Sequence, residues 1–310
     1  MEYRKLGSLN VSLVGIGCNN FGWRTDAAGT AAVVDAALES GISFFDTADC
    51  YGAGDSEKFL GAALKGRRDK AIIATKFGIK MGEGKEGAHP KYVREALDAS
   101  LQRLQTDTID LYQIHKPDPN TPIADTLQAL NDAVIAGKVR EIGCSNFSAE
   151  QLREARATPG PRYFVSVQNE YNLLKREPEA GVLPECASTS VAFLPYFPLA
   201  NGLLTGKYRS GTPFPESSRG KDGFGPKLFT PENLAVVEAL ISFAESRHRS
   251  VLELAFSWLA ARPEVCSIIA GAKTSEQVRA NSVAASWKLT GADLAELDGL
   301  LEKLRGPGAL

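Results

Sequence analysis

The sequence is short of the features that would tie it to a disulfide framework, a metal, a membrane or a nucleic acid. Its five cysteines, Cys18, Cys50, Cys144, Cys186 and Cys266, are odd in number, widely scattered, and form no C-x-x-C pair. That excludes a cysteine scaffold and a zinc site, and fits reduced thiols packed as small hydrophobes in a cytoplasmic protein. No stretch reaches the ~18 apolar residues of a membrane span, and the opening "MEYRKLGSLNVS" is polar and mixed, unlike a signal peptide. Net charge is −2, with no basic stripe and no charged tail, so neither nucleic acid nor an anionic membrane is expected as a partner. No linker or low-complexity tract interrupts the 310 residues, which read as one domain spanning 1–310.

What the chain does have is alternation. Eight short apolar runs recur: "VSLVGIGC" (11–18), "ISFFDTA" (42–48), "KAIIATKF" (70–77), "TIDLYQIH" (108–115), "REIGCSN" (140–146), "YFVSVQNEY" (163–171), "VAFLPYFPL" (191–199) and "VCSIIAGA" (265–272). Between them lie helical patterns such as "GTAAVVDAALESG", "PKYVREALDASLQRL", "IADTLQALNDAVIAGK" and "VLELAFSWLAAR". Near-continuous apolar strands separated by helices imply a parallel sheet covered on its outside. Eight such units predict an α/β fold of the (β/α)8 TIM-barrel type. The alternative, an open doubly wound sheet, lacks support: "VGIGCNNFGW" is not a G-x-G-x-x-G motif opening a helix. Pro90 and Pro231 stand where first-turn prolines belong, Thr230 is a suitable N-cap, and "LESGI" and "IAGKV" end helices on glycine. Residues 2–12 read as an N-terminal β-hairpin closing the barrel bottom. Residues 200–230, rich in Gly, Pro and charge, read as a long loop after strand 7 and a mobile flap over a ligand.

In such a barrel the C-terminal strand ends converge on one pocket. The second strand ends on Asp46, with Tyr51 in its loop; the third ends at Lys76 and the fourth at His115. Each alone has an ordinary explanation: a helix cap, a solvated lysine, a core histidine. Together they form a specific set. A lysine beside a tyrosine lowers the phenol's pKa, and an aspartate holds the lysine without leaving a buried charge unpaired. A histidine can orient the oxygen that the tyrosine protonates. That is the chemistry of carbonyl reduction.

The stretches "GISFFDTADCYGAGDSEKFLG", "IIATKFG", "LYQIHKPDP", "GKVREIGCSNFS", "VQNEYNLL", "PYFPLANGLLTGKY" and "IAGAKTSEQVRAN" occur in that order. From about residue 3 to residue 300 the chain resembles the aldo-keto reductase superfamily, its bacterial oxidoreductase-like branches most. The resemblance implies a barrel that binds NADPH across its top without a Rossmann domain and passes hydride to an aldehyde or ketone. It makes Asp46, Tyr51, Lys76 and His115 the catalytic tetrad, with Tyr51 the general acid in reduction. It assigns Ser145, Asn146 and Gln168 to the nicotinamide carboxamide, and Tyr196 to stacking on the ring. Phe197, Leu199, Gly202 and Leu203 follow the pyrophosphate, with Lys207 near a phosphate. After the eighth strand, Gly271, Lys273, Gln277, Arg279 and Asn281 would meet the adenosine end. The two cations there, at a helix start, favour NADP(H) over NAD(H). Phe21 and Trp23, with the 200–230 flap, are expected to shape the substrate pocket. Ala270 and Phe197 stand where many relatives carry proline and serine. The expected ligand is a small carbonyl compound and the expected state a monomer. The alternatives are a non-catalytic nucleotide-binding regulatory subunit of the same fold, and a barrel enzyme using paired carboxylates or a metal, for which the strand ends offer no residues.

Overall fold

The computed structural model describes residues 1–209, 211 and 228–305. Strands β1 (Tyr3–Leu6) and β2 (Leu9–Ser12) form the antiparallel hairpin, pairing Leu6 with Leu9 and Tyr3 with Ser12. The barrel strands are β3 (Val14–Gly17), β4 (Phe44–Asp46), β5 (Ile72–Phe77), β6 (Ile109–Ile114), β7 (Val139–Ser145), β8 (Ser166–Glu170), β9 (Ala192–Tyr196) and β10 (Ile268–Gly271). They close in the order β10-β3-β4-β5-β6-β7-β8-β9, every pairing parallel. The fold is the expected (β/α)8 TIM barrel with its N-terminal β-hairpin.

One expected strand divides. The run 11–18 joins the end of β2 to β3, and the chain changes partner at Leu13, whose N–H donates to the Glu2 carbonyl at 2.9 Å. Both halves are buried, and Ser12 at the break is buried as well: its Oγ donates to the Val14 carbonyl at 2.7 Å and accepts from the Ser43 N–H at 3.0 Å.

Each of the four helical patterns quoted above falls in a helix. The helices are α1 (Ala27–Glu39), α2 (Asp55–Ala63), α3 (Pro90–Leu104), α4 (Ile123–Ile135), α5 (Ala149–Ala157), α6 (Val182–Thr189), α7 (Pro231–Glu245), α8 (Val251–Ala260), α9 (Ser275–Ala284) and α10 (Gly291–Arg305). Pro90 and Pro231 open their helices, and Thr230 Oγ1 accepts from the Asn233 N–H at 3.2 Å. Of the expected flap, residues 200–209, 211 and 228–230 are described, beginning with a 3-10 turn over Ala200–Thr205; 210 and 212–227 lie outside the described residues.

Strand alternation sorts the core into two shells. Phe45, Ile73, Tyr112, Phe193 and Ile268 face the helices. Their neighbours Phe44, Ala74, Leu111, Leu194 and Ile269 point into the barrel and pack on Leu6, Leu9 and Val11 of the hairpin. That apolar layer plugs one end. Two residues further along the same inward rows come Asp46, Lys76, Gln113 and Tyr196. The polar layer therefore sits directly above the apolar plug, at the C-terminal mouth.

Candidate active site

Lys76 is fully buried, Asp46 nearly so. Neighbouring strands put them side by side: Lys76 Nζ donates to Asp46 Oδ2 at 2.6 Å and to the Thr47 carbonyl at 2.9 Å. The other Asp46 oxygen accepts from Gln168 Nε2 at 2.9 Å and Gln113 Nε2 at 3.2 Å. The carboxylate is thus saturated by an ammonium and two amides, which is what a charge in this position requires. Burial works against the Lys76 ammonium, but Asp46 and Tyr51 outweigh it and raise its pKa above the ordinary lysine value.

Tyr51 opens a tight turn, Tyr51–Gly54, that feeds α2. Its backbone is left-handed at Gly52, Ala53 and Gly54. A Cβ on Gly52 would lie 3.0 Å from the Phe21 carbonyl oxygen and the Gly22 carbonyl carbon, so glycine lets the turn close against the first barrel loop. The turn brings Lys76 Nζ to 5.2 Å from the Tyr51 ring centroid. The His115 ring meets Tyr51 edge to face, centroids 5.7 Å apart at 81°.

The electrostatics correct one expectation. Desolvation of the phenol is the larger effect: it outweighs the downward pull of Lys76 and pushes the Tyr51 pKa up to about 12. Tyr51 is therefore a held phenol at neutral pH, a proton donor. Burial, then the charges of Lys76 and Lys116, depress His115 to about 3, so the imidazole is neutral. Behind the site stands a further carboxyl. Asp49 is almost wholly buried, and neither oxygen has a well-formed hydrogen bond among the described residues. Burial and the nearby Glu57 push its pKa from the ordinary 3.8 to about 7. Glu57 itself accepts from Arg103 and Thr75, each at 2.6 Å.

Asp46, Tyr51 and His115 line a cavity of about 690 Å³ that runs to the start of α9. Ser145, Asn146, Gln168, Tyr196, Phe197, Leu199, Gly202, Lys207, Gly271, Lys273, Gln277 and Asn281 line it too. Asn146 sits at φ +62°, a conformation asparagine tolerates, and ties the parts together. Its Nδ2 donates to the His115 carbonyl and its Oδ1 accepts from the Tyr196 hydroxyl, each at 2.9 Å. Ser145 Oγ donates to the Gln168 carbonyl at 2.7 Å. At the far end, Thr274 Oγ1 caps α9 and the Lys273 N–H donates to Gln277 Oε1 at 2.8 Å.

Five expected residues stand apart from the lining, Lys76 because it is wholly buried against Asp46. Phe21 and Leu203 are fully buried in the hydrophobic core. Trp23 is 61% exposed and stacks with Arg24. Arg279 turns to Glu39 of α1, 3.4 Å away. Conversely, the sequence reading passed over Gln113 and Cys50. Gln113 is paired in register with Lys76, and the inward period of two through Leu111 could have found it. Cys50 Sγ lies 3.8 Å from His115 Nδ1, a contact between distant segments that no local pattern marks.

The sequence profile of the Aldo/keto reductase family matches residues 13–302, and the chain belongs to that family. Aldo-keto reductase YhdN of Bacillus subtilis is 37% identical over 97% of this chain and 94% of its own length. Aldo-keto reductase yakc [NADP(+)] of Schizosaccharomyces pombe is 36% identical over 95% and 89%. Among solved structures, the glycerol dehydrogenase AKR11B4 from Gluconobacter oxydans superposes with a TM-score of 0.85 at 31% identity, covering 97% of this chain and 95% of that one. The chain is thus similar throughout to oxidoreductases of the aldo-keto reductase kind, one of them named for NADP(+). No described helix is long and apolar enough to cross a membrane.

Proposed function

We propose that the protein reduces a small aldehyde or ketone to the alcohol with NADPH, Tyr51 serving as general acid. The observation that carries this reading is the buried Asp46–Lys76 pair beneath the Tyr51 ring, with neutral His115 beside it, all at one end of an elongated cavity.

The donor set fits a phosphorylated dinucleotide. Polar groups of Ser145, Asn146 and Gln168 and the Tyr196 ring stand near the tetrad, and Lys207 and Lys273 lie along the lining, Lys273 just ahead of a helix N-terminus. When bound, a reduced nicotinamide supplies hydride to the carbonyl carbon. The residues of this chain handle the oxygen. Tyr51 gives its proton to that oxygen as negative charge builds there. His115, uncharged, holds a hydrogen-bond donor against the same oxygen. Lys76 stabilises the phenolate left behind, and Asp46, braced by Gln113 and Gln168, fixes the ammonium. Run in reverse, the same groups oxidise an alcohol, the direction for which the Gluconobacter relative is named.

The test is loss of reduced-nicotinamide absorbance with NADPH or NADH and a panel of aliphatic and aryl aldehydes and ketones. Turnover of at least one carbonyl with NADPH is expected. NADPH binding with no carbonyl reduced and no alcohol oxidised would favour the regulatory-subunit alternative.

A further inference from the structure

His115 has one ring nitrogen with a hydrogen-bond partner and one with none among the described residues. Cys50 Sγ is the group at Nδ1, 3.8 Å away, while Nε2 has no hydrogen-bond partner among the described residues. The residue is otherwise held firmly. The backbone N–H of His115 donates to the Phe77 carbonyl and its backbone carbonyl accepts from Asn146 Nδ2, both at 2.9 Å, and the Tyr51 ring stands edge to face against the imidazole. Cys50 is held as firmly, because it immediately precedes the turn that carries Tyr51.

We propose that Cys50 is a positioning residue for His115: its thiol proton goes to Nδ1, which keeps the imidazole proton on Nε2, the nitrogen left to meet the substrate oxygen. For its effect on turnover this rests on the carbonyl-reductase reading; for the tautomer it does not.

The direction of the contact follows from the chemistry of the two groups. A neutral imidazole has one N–H and one lone pair. Lys76 and Lys116 both work against a second ring proton. The lone pair of a ring nitrogen is a good acceptor, whereas a thiol sulfur is a poor one. Burial, then the charge of Asp49, pushes the Cys50 thiol up to about 11, so it keeps its proton to give. The opposite arrangement would set an N–H against the poor acceptor. It would also turn the Nε2 lone pair toward the lone pairs of a carbonyl oxygen, where the reaction needs a donor. A thiol hydrogen bond is weak, but it has only to bias two tautomers of equal charge.

The test is long-range proton–nitrogen NMR of the imidazole rings in uniformly nitrogen-15-labelled protein, where three histidines keep assignment simple. Wild type is expected to show His115 protonated at Nε2, with a hydrogen-bonded, unprotonated Nδ1. Cys50→Ser, which keeps a donor, should preserve that pattern; Cys50→Val should mix the tautomers. In steady-state reduction, Cys50→Val should lower kcat about twofold, by the fraction of His115 that moves to the other tautomer, with the cofactor KM unchanged, and Cys50→Ser should stay close to wild type. A proton on Nδ1 in wild type, or an unchanged His115 spectrum in Cys50→Val, overturns the proposal. So does equal loss of kcat in both variants. If Cys50→Val does not fold, the wild-type spectrum alone decides. The Nε2–H tautomer in a protein that turns over no carbonyl would sink the reductase reading and leave this one standing.

Discussion

The Lys76 ammonium meets the Asp46 carboxylate at 2.6 Å with both side chains shut away from solvent, on adjacent strands of a closed barrel. A pair so placed stabilises only as a pair. Removing one partner leaves a buried charge facing amides that cannot neutralise it.

Asp46→Asn or Lys76→Met alone should therefore destabilise the fold by about 3–5 kcal/mol, and the two combined should recover much of that loss. Urea denaturation of the three variants measures it. Additive losses in the double variant would mean the two charges are not coupled. None of the variants should retain reductase activity.

How legible the site was from the chain alone depended on the kind of signal. Asp46, Lys76 and His115 were readable because each is a polar residue ending an apolar run, and a parallel barrel gathers such ends. Gln113 was hidden inside "LYQIH", where a buried amide reads as part of a strand. Arg279 and Lys273 looked equivalent on the helix start; only the helix rotation, which turns Arg279 toward Glu39 of α1, tells them apart. Phe21 was misread because a loop aromatic gives no sign of which way it packs. The net direction of the Tyr51 pKa was beyond reach for another reason: the nearby lysine is visible in the sequence, and the desolvation that outweighs it is not.

That distinction between cations has a consequence. Lys273→Ala should weaken NADPH binding by roughly tenfold or more while leaving NADH nearly unchanged, since a charge-assisted contact to the 2′-phosphate would be lost. Arg279→Ala should leave both close to wild type. Fluorescence titration with the two nucleotides checks this; a larger effect at Arg279 would reverse the assignment.

With its pKa near 12, Tyr51 stays protonated across the neutral range. Reduction should lose nothing to Tyr51 ionisation between about pH 6 and 9, whereas alcohol oxidation, which needs the phenolate as base, should rise with pH over the same interval. Profiles of kcat in both directions test it, with Asp49→Asn as a second background because Asp49 titrates nearby. Oxidation that is flat with pH would contradict the role.

Asp49 carries a stability prediction. Its folded pKa, about 7, lies above its ordinary 3.8. The folded state therefore holds the proton more tightly, and stability associated with Asp49 is full below the ordinary value and lost as pH rises through about 7. His115, depressed to about 3, acts in the opposite sense in acid, equally in wild type and variant. Asp49→Asn should gain on wild type in Tm as pH moves from about 6 to 8.5. A difference that does not change with pH would show that Asp49 is not protonated in the folded protein.

The most direct test of the catalytic account is Tyr51→Phe, measured for NADPH affinity and for single-turnover reduction of an aldehyde that wild type accepts. Removing the hydroxyl while keeping the ring should leave nucleotide binding intact and slow reduction by about 10²–10⁴-fold. Reduction at the wild-type rate with the hydroxyl gone would contradict the account.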